Sequence, residues 1–184
     1  MCNTENRKIY ILLTRFPDIW SKLIGIMTHS PYTHASIGLE EDLNTYYSFV
    51  WKGFIVEDIT RYLKPGRKPF PCELYEFEVS QNQYDIIKRV VHEFAAKKQN
   101  YNFARWELIF GLFRMPIIRQ NRYYCSQFIA DVLKESEVLT TKRNSARYFP
   151  KDFGKLAGAN MVFKGNLLGY VNKFNLLPAH VESR

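Results

Sequence analysis

The chain has 184 residues, a hydrophobic fraction of 46% and a formal net charge of +8. This length suits a single domain, residues 1–184, that can bury a core without help from a disulfide or a metal. The three cysteines are odd in number and widely separated, so the sequence predicts no disulfide framework, zinc site or other cofactor. No apolar run reaches the roughly 18 residues of a membrane span, and the expected location is cytoplasmic.

The first part of the chain predicts strands. Short apolar, β-branched or aromatic runs end at turn residues, as half-buried or buried strands do. Short links between consecutive strands favour an antiparallel meander. The expected elements are strands at 8–14, 34–39, 45–51 and 53–59, with a short helix at 18–27.

Helices become more frequent in the second part. The run 102–113 is apolar on nearly all sides, which is typical of a buried helix. Cys72 lies in a predicted strand, where a structural role is sufficient. The expected elements are a strand at 72–79, a helix after a capping box at 80–83, helices at 102–113 and from 125, a short helix at 150–153 and a hairpin formed by 161–164 and 168–174.

The stretch YYCSQFIADVL at 123–133 carries the strongest chemical signal. Apolar residues recur at helical spacing after Cys125, which predicts an amphipathic helix with the thiol on its buried stripe, in the first turn. The N–H groups and positive end of a helix stabilise a thiolate, which is the nucleophilic form of cysteine. On position alone, however, a buried and inert cysteine is the more common case.

His34 favours a chemical role for this cysteine. It follows turn residues and begins a predicted strand, whereas Cys125 begins a predicted helix. A histidine and a cysteine placed in this way are the two parts of a nucleophile–base pair, provided that the fold brings them together.

Four motifs in order resemble a known family. They are THASIGL at 33–39, Tyr101-Asn102 ahead of an apolar run, YYCSQ at 123–127 and YFPKDF at 148–153. Papain-like folds normally place the cysteine helix before the histidine strands, and this chain has the reverse order. The sequence therefore resembles the permuted branch of the NlpC-type, papain-like thiol hydrolases, which includes YiiX- and YaeF-like proteins and is related to the lecithin:retinol acyltransferase group.

The resemblance implies an α+β, circularly permuted papain-like (NlpC-type) fold, in which helices pack against an antiparallel β-sheet or half-barrel. It implies Cys125 as the nucleophile and His34 as the general base. The family's third group lies on the strand after the histidine, where Ser48 is nearest. Many relatives carry Glu, His, Asn or Gln at that place, and Glu57 and Asp58 on the next strand remain as alternatives. A serine can accept the imidazole N–H but supplies no charge.

The implied activity is that of a cysteine peptidase or amidase, which cleaves an amide or ester bond through an acyl-enzyme without metal or cofactor. Peptides, acyl amides and lipid-like molecules are the expected substrates, and transfer to an amine or alcohol remains open. The alternative is a lipid-handling protein, an acyltransferase or a non-catalytic binder, in which 103–118 with Arg105, Arg114 and Arg119 contacts an acyl chain or membrane surface. Nucleic acid is not an expected partner, because the aromatic residues lie in apolar segments rather than on a basic face. The sequence carries no signal for a particular oligomeric state.

Overall fold

A computed structural model describes residues 6–15, 25, 30–64, 66, 68–105, 108 and 120–176. Within this part of the chain the protein has an α+β fold, in which helices pack on an antiparallel sheet of six strands. The helix predicted at 18–27 falls outside the described residues except for Gly25, which is helical.

The main sheet has the strand order β4-β3-β2-β1-β5-β8, and every neighbouring pair is antiparallel. The short strands β6 and β7 form a separate parallel pair. The predicted meander is confirmed, because β2, β3 and β4 are neighbours in both sequence and sheet. The strands are β1 (Arg7–Thr14), β2 (His34–Leu39), β3 (Thr45–Val50), β4 (Gly53–Asp58), β5 (Pro71–Val79), β6 (Asn102–Phe103), β7 (Arg122–Tyr123) and β8 (Asn160–Asn166).

Two of the described helices begin where their capping signals predict. Ser80 and Gln83 form the expected capping box, and Pro150 occupies the first turn of a short helix, where its missing N–H costs nothing. The described helices are α1 (Gln81–Ala96), α2 (Cys125–Glu135), α3 (Pro150–Phe153) and α4 (Leu167–Lys173).

Alternation along the strands divides the apolar residues between the two faces of the sheet. Ala35, Ile37 and Leu39 of β2 belong to the larger cluster, which also contains the buried faces of α1 and α2. Tyr46 of β3 belongs to a second cluster, which also contains Tyr170 of α4. The hydroxyls of Tyr46 and Tyr170 are hydrogen-bonded to each other at 2.8 Å. The sheet is therefore covered by helices on both faces, with α2 on the face of the larger cluster.

The predicted terminal hairpin is wrong. Strand β8 pairs with β5 rather than with the residues that follow it, and those residues form α4. The Asn166 side chain accepts a hydrogen bond from the backbone N–H of Gly169 at 3.0 Å, so it caps a helix instead of forming a turn. The buried residues of this helix, Leu167, Tyr170 and Val171, also have helical spacing.

The helix predicted at 102–113 is wrong at its start. Asn102 and Phe103 form β6, which pairs with β7, and this pairing involves residues 20 positions further along the chain. Arg105 and Leu108 are helical, while 106–107 and 109–119 fall outside the described residues. The predicted lipid contact through 103–118, including Arg114 and Arg119, therefore lies largely outside them too.

Candidate active site

Cys125 is the first residue of α2, as predicted. Tyr124 precedes it in an extended conformation and places no side-chain hydrogen bond on the helix start. The first bond of the helix runs from the N–H of Phe128 to the carbonyl of Tyr124, at 3.0 Å. Cys125 is 8% exposed. Its thiol thus lies at the positive end of an 11-residue helix, where backbone N–H groups lack intrahelical acceptors.

Two hydrogen bonds fix the start of this helix. The hydroxyl of Tyr124 donates to the carbonyl of Ala146, and the hydroxyl of Ser126 donates to the carbonyl of Tyr148 at 2.6 Å. Both hydroxyls are buried. Because these bonds flank Cys125 in the sequence, they hold its backbone against the segment that leads into α3.

His34 is paired with the neighbouring strand on one side of β2 but not on the other. It is the first residue of β2 and pairs with Thr14 of β1. On the other side, β2 and β3 pair through Ile37–Tyr47 and Gly38–Tyr46, and this ladder stops before His34. Helix α2 contacts both β2 and β3.

The structure brings Cys125, His34 and Glu57 together. The side chains of His34 and Cys125 are hydrogen-bonded, and His34 Nε2 lies 2.8 Å from Glu57 Oε1. Ser36 Oγ lies 3.2 Å from the same nitrogen. His34 is 5% exposed and Glu57 is 4% exposed. The arrangement is a buried chain of thiol, imidazole and carboxylate, the order in which a nucleophile, a base and an orienting group are found.

The electrostatics of the site favour a charged imidazole. Burial of His34 acts to lower its pKa, but the Glu57 carboxylate and the hydrogen bond with Cys125 outweigh burial and raise the pKa to about 10.

The Ser48 hydroxyl is not hydrogen-bonded to the imidazole. Its hydroxyl is buried and donates to the carbonyl of Ala35 at 2.6 Å, so it bridges β3 and β2. Asp58 is also elsewhere, because its carboxylate caps the 3₁₀ turn 59–62 by accepting from the Thr60 N–H at 3.0 Å. The carboxylate on His34 comes from Glu57, which the sequence had left as an alternative to Ser48.

Ser36 is a site residue that the sequence reasoning missed. It lies two positions after His34, and alternation along a strand places such a pair on one face. The signal was therefore present in THASIGL, but a serine in an apolar strand carries no distinctive pattern. Its hydroxyl shares Nε2 with Glu57 and so helps to fix the ring orientation.

The raised pKa of His34 predicts a dependence of stability on pH. A histidine has a pKa near 6.5 when unfolded, so the stabilisation is complete below about pH 6.5 and is lost as the pH rises toward about 10. Across this interval the free energy of unfolding of the parent, relative to that of His34→Gln, should fall as the pH rises. Urea unfolding of both proteins at several pH values measures the difference, and a difference that stays constant would contradict the raised pKa.

Among the described residues, no group of three or more His, Cys, Asp or Glu side chains is arranged to hold a metal ion. In the same part of the chain, no helix has the length and apolar character needed to cross a membrane.

Comparison of the sequence with protein-family models found no match, and neither did comparison with curated proteins. The site itself consists of Cys125 at a helix terminus, His34 hydrogen-bonded to it and the Glu57 carboxylate 2.8 Å from the imidazole.

Proposed function

We propose that the protein is a thiol hydrolase or acyltransferase with a circularly permuted papain-like fold, in which Cys125 attacks an amide or ester carbonyl. One observation carries the proposal: a buried imidazole is hydrogen-bonded to the Cys125 thiol and lies 2.8 Å from the Glu57 carboxylate. A structural cysteine packs without an imidazole or a carboxylate beside it. Burying a histidine–carboxylate pair costs desolvation free energy, and such buried ionisable pairs are concentrated at functional sites.

In the first half-reaction, His34 takes the proton of Cys125 and the sulfur attacks the carbonyl carbon. The carbonyl π electrons move to oxygen, and the backbone N–H of Cys125 at the helix start donates to that oxyanion. When the carbonyl re-forms, the bond to the leaving nitrogen or oxygen breaks, and His34 returns the proton to the leaving group. The product is a thioester on Cys125.

In the second half-reaction, His34 takes a proton from water, or from an acceptor amine or alcohol, which attacks the thioester carbonyl. The C–S bond then breaks, the acid, amide or ester is released, and the proton on His34 returns to Cys125. The thiol itself contributes to the high pKa of His34, through a hydrogen bond and through charge. Acylation removes the negative sulfur, so the pKa of His34 falls in the thioester and the ring becomes available as a base. Glu57 stays on Nε2 throughout and stabilises each imidazolium.

The proposal is tested with p-nitrophenyl acetate, an activated ester that needs little substrate recognition. The parent should release a burst of p-nitrophenolate and carry one acetyl group on Cys125, identified by peptide mass spectrometry. Cys125→Ala should lose both signals. Cys72→Ala is the matched control, because Cys72 is buried in the second cluster and its pKa is raised to about 12 by burial, so its removal should not change the burst. Acetylation elsewhere with an unchanged rate in Cys125→Ala would refute the proposal.

A further inference from the structure

An open cleft of about 430 Å³ lies outside the catalytic trio. It contains two aromatic rings, three cationic side chains and one amide, and we call it the basic cleft. Trp51 is 44% exposed, which is high for the largest apolar side chain. The residues that line the basic cleft are Trp51, Lys52, Asn102, Phe103, Arg105 and Arg122.

The basic cleft is close to the proposed nucleophile. Arg122 lies in β7, three residues before Cys125, so their Cα atoms are at most about 11 Å apart. Trp51 follows the last residue of β3, and since β3 is antiparallel to β2, this end of β3 lies at the end of the sheet where β2 begins with His34. The cleft and the thiol therefore share one end of the sheet.

The lining combines positive charge with an aromatic wall. The Arg105 guanidinium lies 4.4 Å from the centroid of the Trp51 ring, and the Trp51 and Phe103 rings are 5.5 Å apart. Asn102 supplies an amide beside them. The described residues that line the basic cleft include no carboxylate. Guanidinium and ammonium groups are the side chains that bind doubly charged oxyanions, and aromatic rings pack against apolar groups.

We propose that the basic cleft binds a phosphate monoester group, with the adjoining apolar part of the ligand against Trp51 and Phe103. This names the substrate class of the thiol site, namely acyl compounds that carry a phosphate, and in that respect it rests on the proposed function. Arg122 and Arg105 hold the phosphate oxygens. Because Arg122 lies three residues before Cys125, the acyl part of the ligand extends from the cleft toward the thiol.

Binding is measured without chemistry, in Cys125→Ala, with phenyl phosphate as the probe and tryptophan fluorescence or calorimetry as the readout. Arg122→Gln should weaken binding by about tenfold or more, since it removes a charge-assisted hydrogen bond to the phosphate. Arg89→Gln removes the same charge from α1, where Arg89 pairs with Glu93 and Glu135, and should change affinity by less than about twofold. Inorganic phosphate should bind more weakly than phenyl phosphate, because it leaves the aromatic wall uncovered.

Two results would overturn the proposal: no binding of phenyl phosphate, or equal weakening by Arg122→Gln and Arg89→Gln. Vesicles containing phosphatidic acid separate the sources of the phosphate, since competition with phenyl phosphate indicates a lipid and no competition indicates a soluble molecule. Loss of Cys125 acylation with intact phenyl phosphate binding would instead refute the thiol chemistry alone.

Discussion

Glu57→Gln is expected to slow acylation of Cys125 by roughly 10²–10⁴-fold without unfolding the protein. The amide keeps the shape of the carboxylate but removes its charge, which is a principal cause of the raised pKa of His34. It can also present an N–H to Nε2, which favours the wrong tautomer of the ring. The measurement is the rate of the p-nitrophenolate burst, together with urea unfolding to establish that the variant is folded.

Ser48→Ala is the matched control for this prediction. The Ser48 hydroxyl donates to the Ala35 carbonyl rather than to the imidazole, so its loss should lower the burst rate by less than about tenfold. A loss in Ser48→Ala as large as that in Glu57→Gln would contradict the assignment of Glu57 as the orienting group and would favour the serine.

Phe49→Ala is expected to destabilise the fold by about 3–5 kcal/mol. Phe49 is fully buried on β3 and lies at the centre of an aromatic cluster that joins the sheet to α2 and to β7. Its ring centroid is 5.3 Å from those of Phe54 and Tyr123 and 5.4 Å from that of Phe128. Removing the ring loses these contacts and leaves a cavity that the surrounding rigid rings fill poorly.

The free energy of unfolding in urea measures this effect. Val56→Ala on β4 is the control, because Val56 is 46% exposed and its truncation should change stability by no more than about 0.5 kcal/mol. Tyr123 and Phe128 flank Cys125 in the sequence, so Phe49→Ala should also slow Cys125 acylation when the folded fraction is taken into account. A cost of less than about 1 kcal/mol would contradict the central packing role of Phe49.

Local signals predicted much of this architecture. The alternating and apolar runs located β1 to β5, and the Ser80 capping box located the start of α1. The start of α2 at Cys125 and of β2 at His34 followed from spacing within a few residues. These features depend on neighbours in the sequence, which is why the positions of Cys125 and His34 in their elements could be predicted before their contact was known.

The remaining features depend on contacts between distant parts of the chain. Ser48 is nearer to His34 than Glu57 is in sequence, but its hydroxyl is taken by the Ala35 carbonyl, and Glu57 reaches the ring from β4. The short strand β6 exists through its pairing with β7, and β8 pairs with β5 across the chain. Periodicity cannot report such pairing, because each short segment fits more than one partner.

The most direct test of the thiol–imidazole pair is the rate of alkylation of each cysteine by iodoacetamide as a function of pH, in the parent and in His34→Ala. If the pair exists, Cys125 reacts well below pH 8 and faster than Cys72, which is buried and has a raised pKa. This advantage should disappear in His34→Ala. An unreactive Cys125 in the folded parent, or a rate that does not change without His34, would contradict the account.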